Sequence, residues 1–210
     1  MKVFVAGASG RVGQEVVKEL LASGHTVTAG ARHLDAVDDR AEKAAMDLHA
    51  SVDDLAKLID GNDAVLFTAG SRGKDLLQVD LNGSVKLQEA AKKVGAKRFV
   101  QLSSTFALEQ DKWASVPALA SIMDYNVAKF YADRWLIDHP GLDWTIVQPG
   151  ILEERAATGT VAINDGGYGR NAISDVAKVL AGSLAHDNTV GKVLMMHDGD
   201  RAIDEALGEA

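Results

Sequence analysis

Residues 3–13, VFVAGASGRVG, decide how the rest of this chain folds. The apolar run Val3, Phe4, Val5 and Ala6 reads as a strand buried on both faces, and it passes straight into Gly7, Gly10 and Gly13 ahead of a helical pattern. The first glycine permits a tight turn out of the strand. The second removes a Cβ where backbone must approach a pyrophosphate, and the third lets the following helix sit close against the sheet. That helix aims its unsatisfied N–H groups and partial positive charge at the same place. The spacing is GxxGxxG rather than GxGxxG, so its weight comes from where it stands, between a strand and an amphipathic helix.

Working outward, Val12, Val16, Val17, Leu20 and Leu21 share one helical face over 12–23, and Gly24 follows as a stop. A second strand is expected over 25–31. It ends in Gly30-Ala31-Arg32-His33, where a protein preferring NAD would place an acidic residue against the ribose 2′-hydroxyl. A guanidinium there favours a 2′-phosphate, which predicts NADP(H) over NAD(H), with Arg32 as main ligand and Arg11 as a second clamp. The alternative is that both arginines are solvated surface charges. A weak third strand is expected at Asp47-Leu48, and Asp47 either accepts from the adenine amino group or caps the helix expected over 51–59. A strand over 64–68 leads into the loop Ala69-Gly70-Ser71-Arg72-Gly73-Lys74, at the sheet edge where ligands bind in open α/β folds. The candidate nucleotide site is therefore Gly7, Ser9, Gly10, Arg11, Val12, Gly13, Arg32, Asp47, Leu48, Ala69 and Gly70.

A long helix is expected over 76–94, closed by Gly95, and then a strand over 99–102 that runs out into Ser103-Ser104-Thr105. A further helix begins near Asp124 and carries Tyr125-Asn126-Val127-Ala128-Lys129. Tyr125 and Lys129, four apart, stack on one helix face. An ammonium near a phenol favours phenolate, so Lys129 is expected to lower the Tyr125 pKa and make a proton relay. Ser104, in preference to Ser103, would hold a substrate oxygen, and Lys129 would also touch the nicotinamide ribose. Taken alone, a Tyr and a Lys at this spacing are usually plain helix surface; the glycine cradle and strand-end serines before them give the pair its meaning. Past Gly150 the pattern gives a helix from 173 with Ser174 as N-cap, a strand over 191–196 and a short helix over 203–207.

These motifs together resemble the short-chain dehydrogenase/reductase family, in its atypical, NAD(P)H-binding, epimerase/dehydratase-like branch, over nearly the whole chain. GASGRVG at 7–13 is similar to the family's glycine motif, DLNGSVKLQEAAK with Asp80 to its fourth-helix pattern, LSST at 102–105 to its serine segment and YNVAK at 125–129 to its Tyr/Lys pair. LDWTIVQPGIL at 142–152 is similar to the strand and turn whose backbone, here at Pro149 and Gly150, meets the nicotinamide carboxamide; Gln148 stands where the family has Arg. The resemblance implies an α/β, Rossmann-type doubly wound parallel sheet with helices on both faces, a small C-terminal substrate region and a bound NADP(H).

The 210 residues suit one domain, and the roughly 60 after Gly150 are too few for a second of typical size. The substrate region would come from 104–124, 153–169 and parts of the tail, with Gly159, Gly166, Gly167 and Gly169 suggesting a lid. A net charge of −8 argues against a nucleic-acid partner, and the absence of cysteine excludes disulfides and thiolate chemistry. The six histidines show no paired ligand spacing, so no metal is expected. Neither a signal peptide nor a membrane span is read from the N-terminus, so a cytoplasmic protein is expected. Its partner is read as a small-molecule substrate, and its state as a monomer or homodimer. The competing functions are an oxidoreductase of a small carbonyl or alcohol, a dinucleotide-sensing regulatory protein without turnover, and a sugar-nucleotide epimerase or dehydratase.

Overall fold

The computed structural model describes residues 1–210. Its eight-stranded sheet has the order β3-β2-β1-β4-β5-β6-β10-β8, in which every neighbouring pair is parallel except β10 with β8. The strands are β1 (Lys2–Ala6), β2 (Thr26–Ala31), β3 (Glu42–Ala45), β4 (Ala64–Phe67), β5 (Arg98–Leu102), β6 (Asp143–Pro149), β8 (Thr160–Ile163) and β10 (Lys192–Ala202); β7 (Ile151–Glu153) and β9 (Arg170–Ala172) form a separate two-stranded ribbon. The expected doubly wound architecture is therefore present.

β1 shows why. Val3 and Val5 point into one hydrophobic cluster while Phe4 and Ala6 point into the other, and all four are fully buried. A strand apolar at every position needs cover on both faces, which βαβ crossovers supply. On the first face lie α1 (Arg11–Ala22), α7 (Ile173–Gly182) and α8 (Ile203–Gly208); on the second lie α2 (Val52–Ile59), α3 (Asn82–Val94) and α6 (Met123–Asp138). Two single-turn helices, α4 (Gln110–Trp113) and α5 (Pro117–Ala120), follow β5 and pack on α6 through a third cluster of Phe106, Trp113, Val116 and Leu119. Asn126 fixes them there, donating from Nδ2 to the Leu119 carbonyl at 2.8 Å.

Several local expectations are corrected. The third strand is β3, so Asp47 and Leu48 fall just past its end rather than in it. Asp47 does not cap α2; Ser51 does, accepting from the Asp54 N–H at 3.1 Å. The helix expected over 76–94 is broken into π-helical turns at Leu76–Leu81 before α3. Widening that turn brings Asp80 into the protein, where its Oδ2 accepts the Ser71 N–H at 3.0 Å. Ser174 is not an N-cap, because α7 already starts at Ile173, with Ala172 in the N-cap position. Asp175 instead reaches back to the Thr158 and Gly159 N–H groups at 2.7 and 3.0 Å, tying that loop to the helix. The strand expected over 191–196 continues to Ala202, because its far half pairs with β8 out of the glycine-rich segment. No helix is long and apolar enough to cross a membrane.

Candidate functional site

The glycines after β1 are each held by a different contact. Gly7 has φ +87°, and a Cβ on it would stand 2.5 Å from the Ala69 Cα, so only glycine lets the β1 and β4 loops touch. A Cβ on Gly13 would lie 2.2 Å from the Gly7 carbonyl oxygen, which shows that α1 is seated directly on the loop. At Gly10 the nearest atom is 3.2 Å away, and no side chain caps the helix there. Its first turn carries no acidic residue, so the positive end of the α1 dipole is left for a ligand.

This loop forms the floor of a cleft of about 740 Å³ along the carboxyl ends of the strands. Gly7, Ser9, Gly10, Arg11 and Val12 line it from one side, Arg32, Asp47 and Leu48 from the end, and Ala69, Gly70 and Lys129 from the other. Gly13 lies beneath as a spacer. Pro149 and Gly150 do not line this cleft but a second cavity beside it. The Gly150 N–H is already engaged, by Asn171 Oδ1 at 2.9 Å and the Met196 carbonyl at 3.2 Å.

The cleft is cationic at one end. Arg32 is exposed there and forms no ion pair, while Arg11 bridges to Glu154 at 3.3 Å. Asp47 accepts both the backbone N–H and the ring Nδ1 of His49 at 2.9 Å, which holds its carboxyl below the usual carboxylate range. Arg72 and Lys74, from the loop after β4, add two further cations that sequence reading had noted only as loop residues.

At the other end stand Tyr125 and Lys129, one turn apart on α6. Lys129 is buried and donates to the Leu102 carbonyl at 2.7 Å; its Nζ is 5.8 Å from the centre of the Tyr125 ring. The expectation that it makes the phenol more acidic is corrected. Burial, with the negative charges of Asp80 and Asp133, pushes the Tyr125 pKa above its ordinary value, which favours the neutral phenol. Burial likewise lowers the Lys129 pKa, against the pull of the same two carboxylates.

Asp133, one turn further along α6 and fully buried, was missed by sequence reading. It accepts from Ser103 Oγ and Gln101 Nε2, each at 2.5 Å, and from Gln148 Nε2 at 3.3 Å, while burial raises its pKa. Gln148, in the place of the family's Arg, thus meets this carboxylate with a neutral donor. Ser103 Oγ is committed to Asp133, and Ser103, Ser104 and Thr105 all line the second cavity, which leaves Ser104 as the serine there whose hydroxyl is not held by that carboxylate. The only early signal for Asp133 was an acidic residue on the buried side of an otherwise mixed helix.

The second cavity, about 240 Å³, shares Tyr125 and Leu152 with the cleft. Ser104 and Thr105 line it with Val116, Ile122, Ile151 and Tyr168, so α5, α6 and the β7–β9 ribbon close around it. Tyr125 is therefore the one polar side chain that both spaces share.

The cleft fits a dinucleotide on the observations above: a backbone cradle with an uncapped helix end, cations toward one end, and an unpartnered buried acceptor, Asp80 Oδ1, among the residues that line it. Comparison with known proteins agrees. The oxidoreductase ylbE of Lactococcus lactis is 40% identical and superposes with a TM-score of 0.96, covering 100% of this chain and 96% of that one. YhfK of Bacillus subtilis, named an uncharacterized sugar epimerase, is 36% identical over 99% of both chains. Protein YMR090W of Saccharomyces cerevisiae is 35% identical, over 99% of this chain and 97% of its own. The NAD(P)H-binding family pattern matches residues 7–187, which spans the cradle, both cavities and α7, and the chain belongs to that family.

Proposed function

We propose that this protein is an NADP(H)-dependent oxidoreductase that reduces a small carbonyl compound, or oxidises the corresponding alcohol, with Ser104, Tyr125 and Lys129 as its proton-handling set. The observation that carries this reading is the position of Tyr125, at the wall common to the nucleotide cleft and the smaller cavity. The cradle at Gly7, Gly10 and the α1 N-terminus would hold the pyrophosphate, and Arg32 the 2′-phosphate. When bound, the reduced nicotinamide supplies the hydride that a carbonyl carbon takes up.

The chain's own residues do the rest. Ser104 holds the substrate oxygen by a hydrogen bond, and Tyr125 gives that oxygen its proton, for which a neutral phenol is the right starting state. Lys129 donates to the Leu102 carbonyl and would also bind ribose hydroxyls from beside the phenol. Asp80 Oδ1 offers an acceptor to another hydrogen of the nucleotide. The oxidoreductase name of the ylbE relative accords with this reading. The test is NADPH oxidation against a panel of aldehydes, ketones and quinones, alongside cofactor fluorescence. Turnover that is lost in Tyr125→Phe while NADPH still binds is the expected result; tight binding with no oxidation in either protein would make this a nucleotide sensor.

A further inference from the structure

We propose, taking the reductase reading above as its basis, that the smaller cavity takes an uncharged carbonyl compound with an apolar body and a second neutral oxygen beside the reacting one. A 1,2-diketone or an α-hydroxyketone has that chemistry. Anionic compounds, sugar nucleotides included, are turned away.

Charge is the first ground. No Lys, Arg, His, Asp or Glu lines this cavity. The arginines on the adjoining β7–β9 ribbon and the segment after it are already paired: Arg170 and Arg155 both bond Glu153, and Arg155 also bonds Asp198. Behind Ser103 lies the buried Asp133. A carboxylate or phosphate entering here would lose its water with no cation on the wall to replace it. The larger cleft, with Arg11, Arg32, Arg72 and Lys74 on its lining, is its electrostatic opposite.

Size is the second. At about 240 Å³ the space falls below the roughly 300–1,000 Å³ of pockets for drug-sized ligands, too little for a sugar joined to a nucleoside diphosphate. Val116, Ile122, Ile151 and Leu152 give it walls that reward apolar surface.

The second oxygen follows from Thr105. This residue is 7% exposed and lines the cavity next to Ser104. Its N–H is used by the Pro149 carbonyl at 2.9 Å, yet its buried Oγ1 has no hydrogen-bond partner. Ser103, two residues earlier, shows how such a hydroxyl is ordinarily satisfied, on Asp133. A buried hydroxyl without a partner is costly, and a ligand oxygen adjacent to the one on Ser104 would relieve it. Thr105 is thus the specificity-determining residue for that second oxygen.

Three six-carbon ligands of nearly equal shape separate these grounds: 2,3-hexanedione, 2-hexanone and 2-oxohexanoate, with UDP-glucose as a fourth. Their dissociation constants for the full chain saturated with NADP+ are measured by calorimetry, and their NADPH-dependent reduction by absorbance. The dione should bind about tenfold more tightly than the monoketone, the worth of one neutral hydrogen bond at the upper end, and the keto acid and UDP-glucose should bind weakest. In Thr105→Val the dione should lose about that tenfold while 2-hexanone changes less than twofold, and Thr105→Ser should restore the difference. Keto acid or UDP-glucose binding as tightly as the dione, a dione affinity indifferent to Thr105→Val, or no binding by any of the four would overturn the proposal. Binding in the stated order with no reduction of the dione supports the ligand class and removes the reductase reading instead.

Discussion

The two cavities that meet at Tyr125 are built in opposite ways. The nucleotide cleft is made of backbone: glycine turns whose Cβ atoms would collide with Ala69 or the Gly7 carbonyl, an uncapped helix end, and five Lys and Arg side chains along its lining. The smaller cavity is made of side chains, Val116, Ile122, Leu152 and Tyr168 among them, brought from separate loops around uncharged hydroxyls. Backbone and charge recognise what every cofactor of one kind shares, while a side-chain wall selects a particular substrate. On the proposed reading, binding strength belongs to the first region and discrimination to the second, with Tyr125 on the wall between them.

The sharpest way to break this division is at the shared wall. Tyr125→Phe should lower kcat by about 10² to 10⁴ while leaving the NADPH dissociation constant within twofold, as stopped-flow turnover and fluorescence titration would show. An unchanged kcat would mean that the junction does no chemistry. Behind that wall, Asp133→Leu removes the acceptor of Gln101, Ser103 and Gln148 and should destabilise the fold by about 3–5 kcal/mol in denaturant unfolding. A cost below about 1 kcal/mol would show that the network is slack. Within the cleft, Gly13→Ala sets two effects against each other. Alanine improves helix propensity by about 1 kcal/mol, but its Cβ would meet the Gly7 carbonyl at 2.2 Å, and such overpacking costs about 1–3 kcal/mol. The clash should win, visible as a lower Tm and weakened NADPH binding. Arg32→Ala should weaken NADPH by about tenfold and NADH by less than twofold, since one charge-assisted contact to the 2′-phosphate is lost. Equal affinities before and after would remove the NADP preference.

The smallest effect concerns the proton itself. Because burial, Asp80 and Asp133 raise the Tyr125 pKa, its phenol stays protonated past the ordinary value of 10.0, and proton donation is lost only as pH rises beyond that. The difference titration of wild type against Tyr125→Phe, followed by phenolate absorbance in the protein without cofactor, should have its midpoint above 10. A midpoint below it would restore the acidified phenol that the Tyr/Lys spacing suggests.

What could be read from sequence follows the same division. The cradle was legible because its requirements are local: three glycines, a strand and a helix lie within one short stretch, and steric rules apply there residue by residue. Tyr125 and Lys129 were legible because a four-residue spacing fixes their face, but the electrostatics were not, since Asp80 and Asp133 come from a π-helical turn and a later turn of α6. Pattern cannot announce that an interruption of helical period at Leu76–Leu81 will rotate Asp80 inward. β3 was misplaced because Glu42, Lys43, Ala44 and Ala45 lie on an edge strand whose residues are all at least partly exposed, leaving no apolar signal. The walls of the smaller cavity converge from 116, 122, 151–152 and 168, and only packing brings them together.

A crystal structure of this chain with NADP+ tests the central claim most directly. The account predicts the 2′-phosphate beside Arg32, the pyrophosphate on the Gly7–Gly13 loop, and the nicotinamide ring at the opening between the two cavities, next to the Tyr125 hydroxyl. A nicotinamide ring lodged at the Arg32 end, or a Tyr125 side chain turned away from any ring, would contradict it.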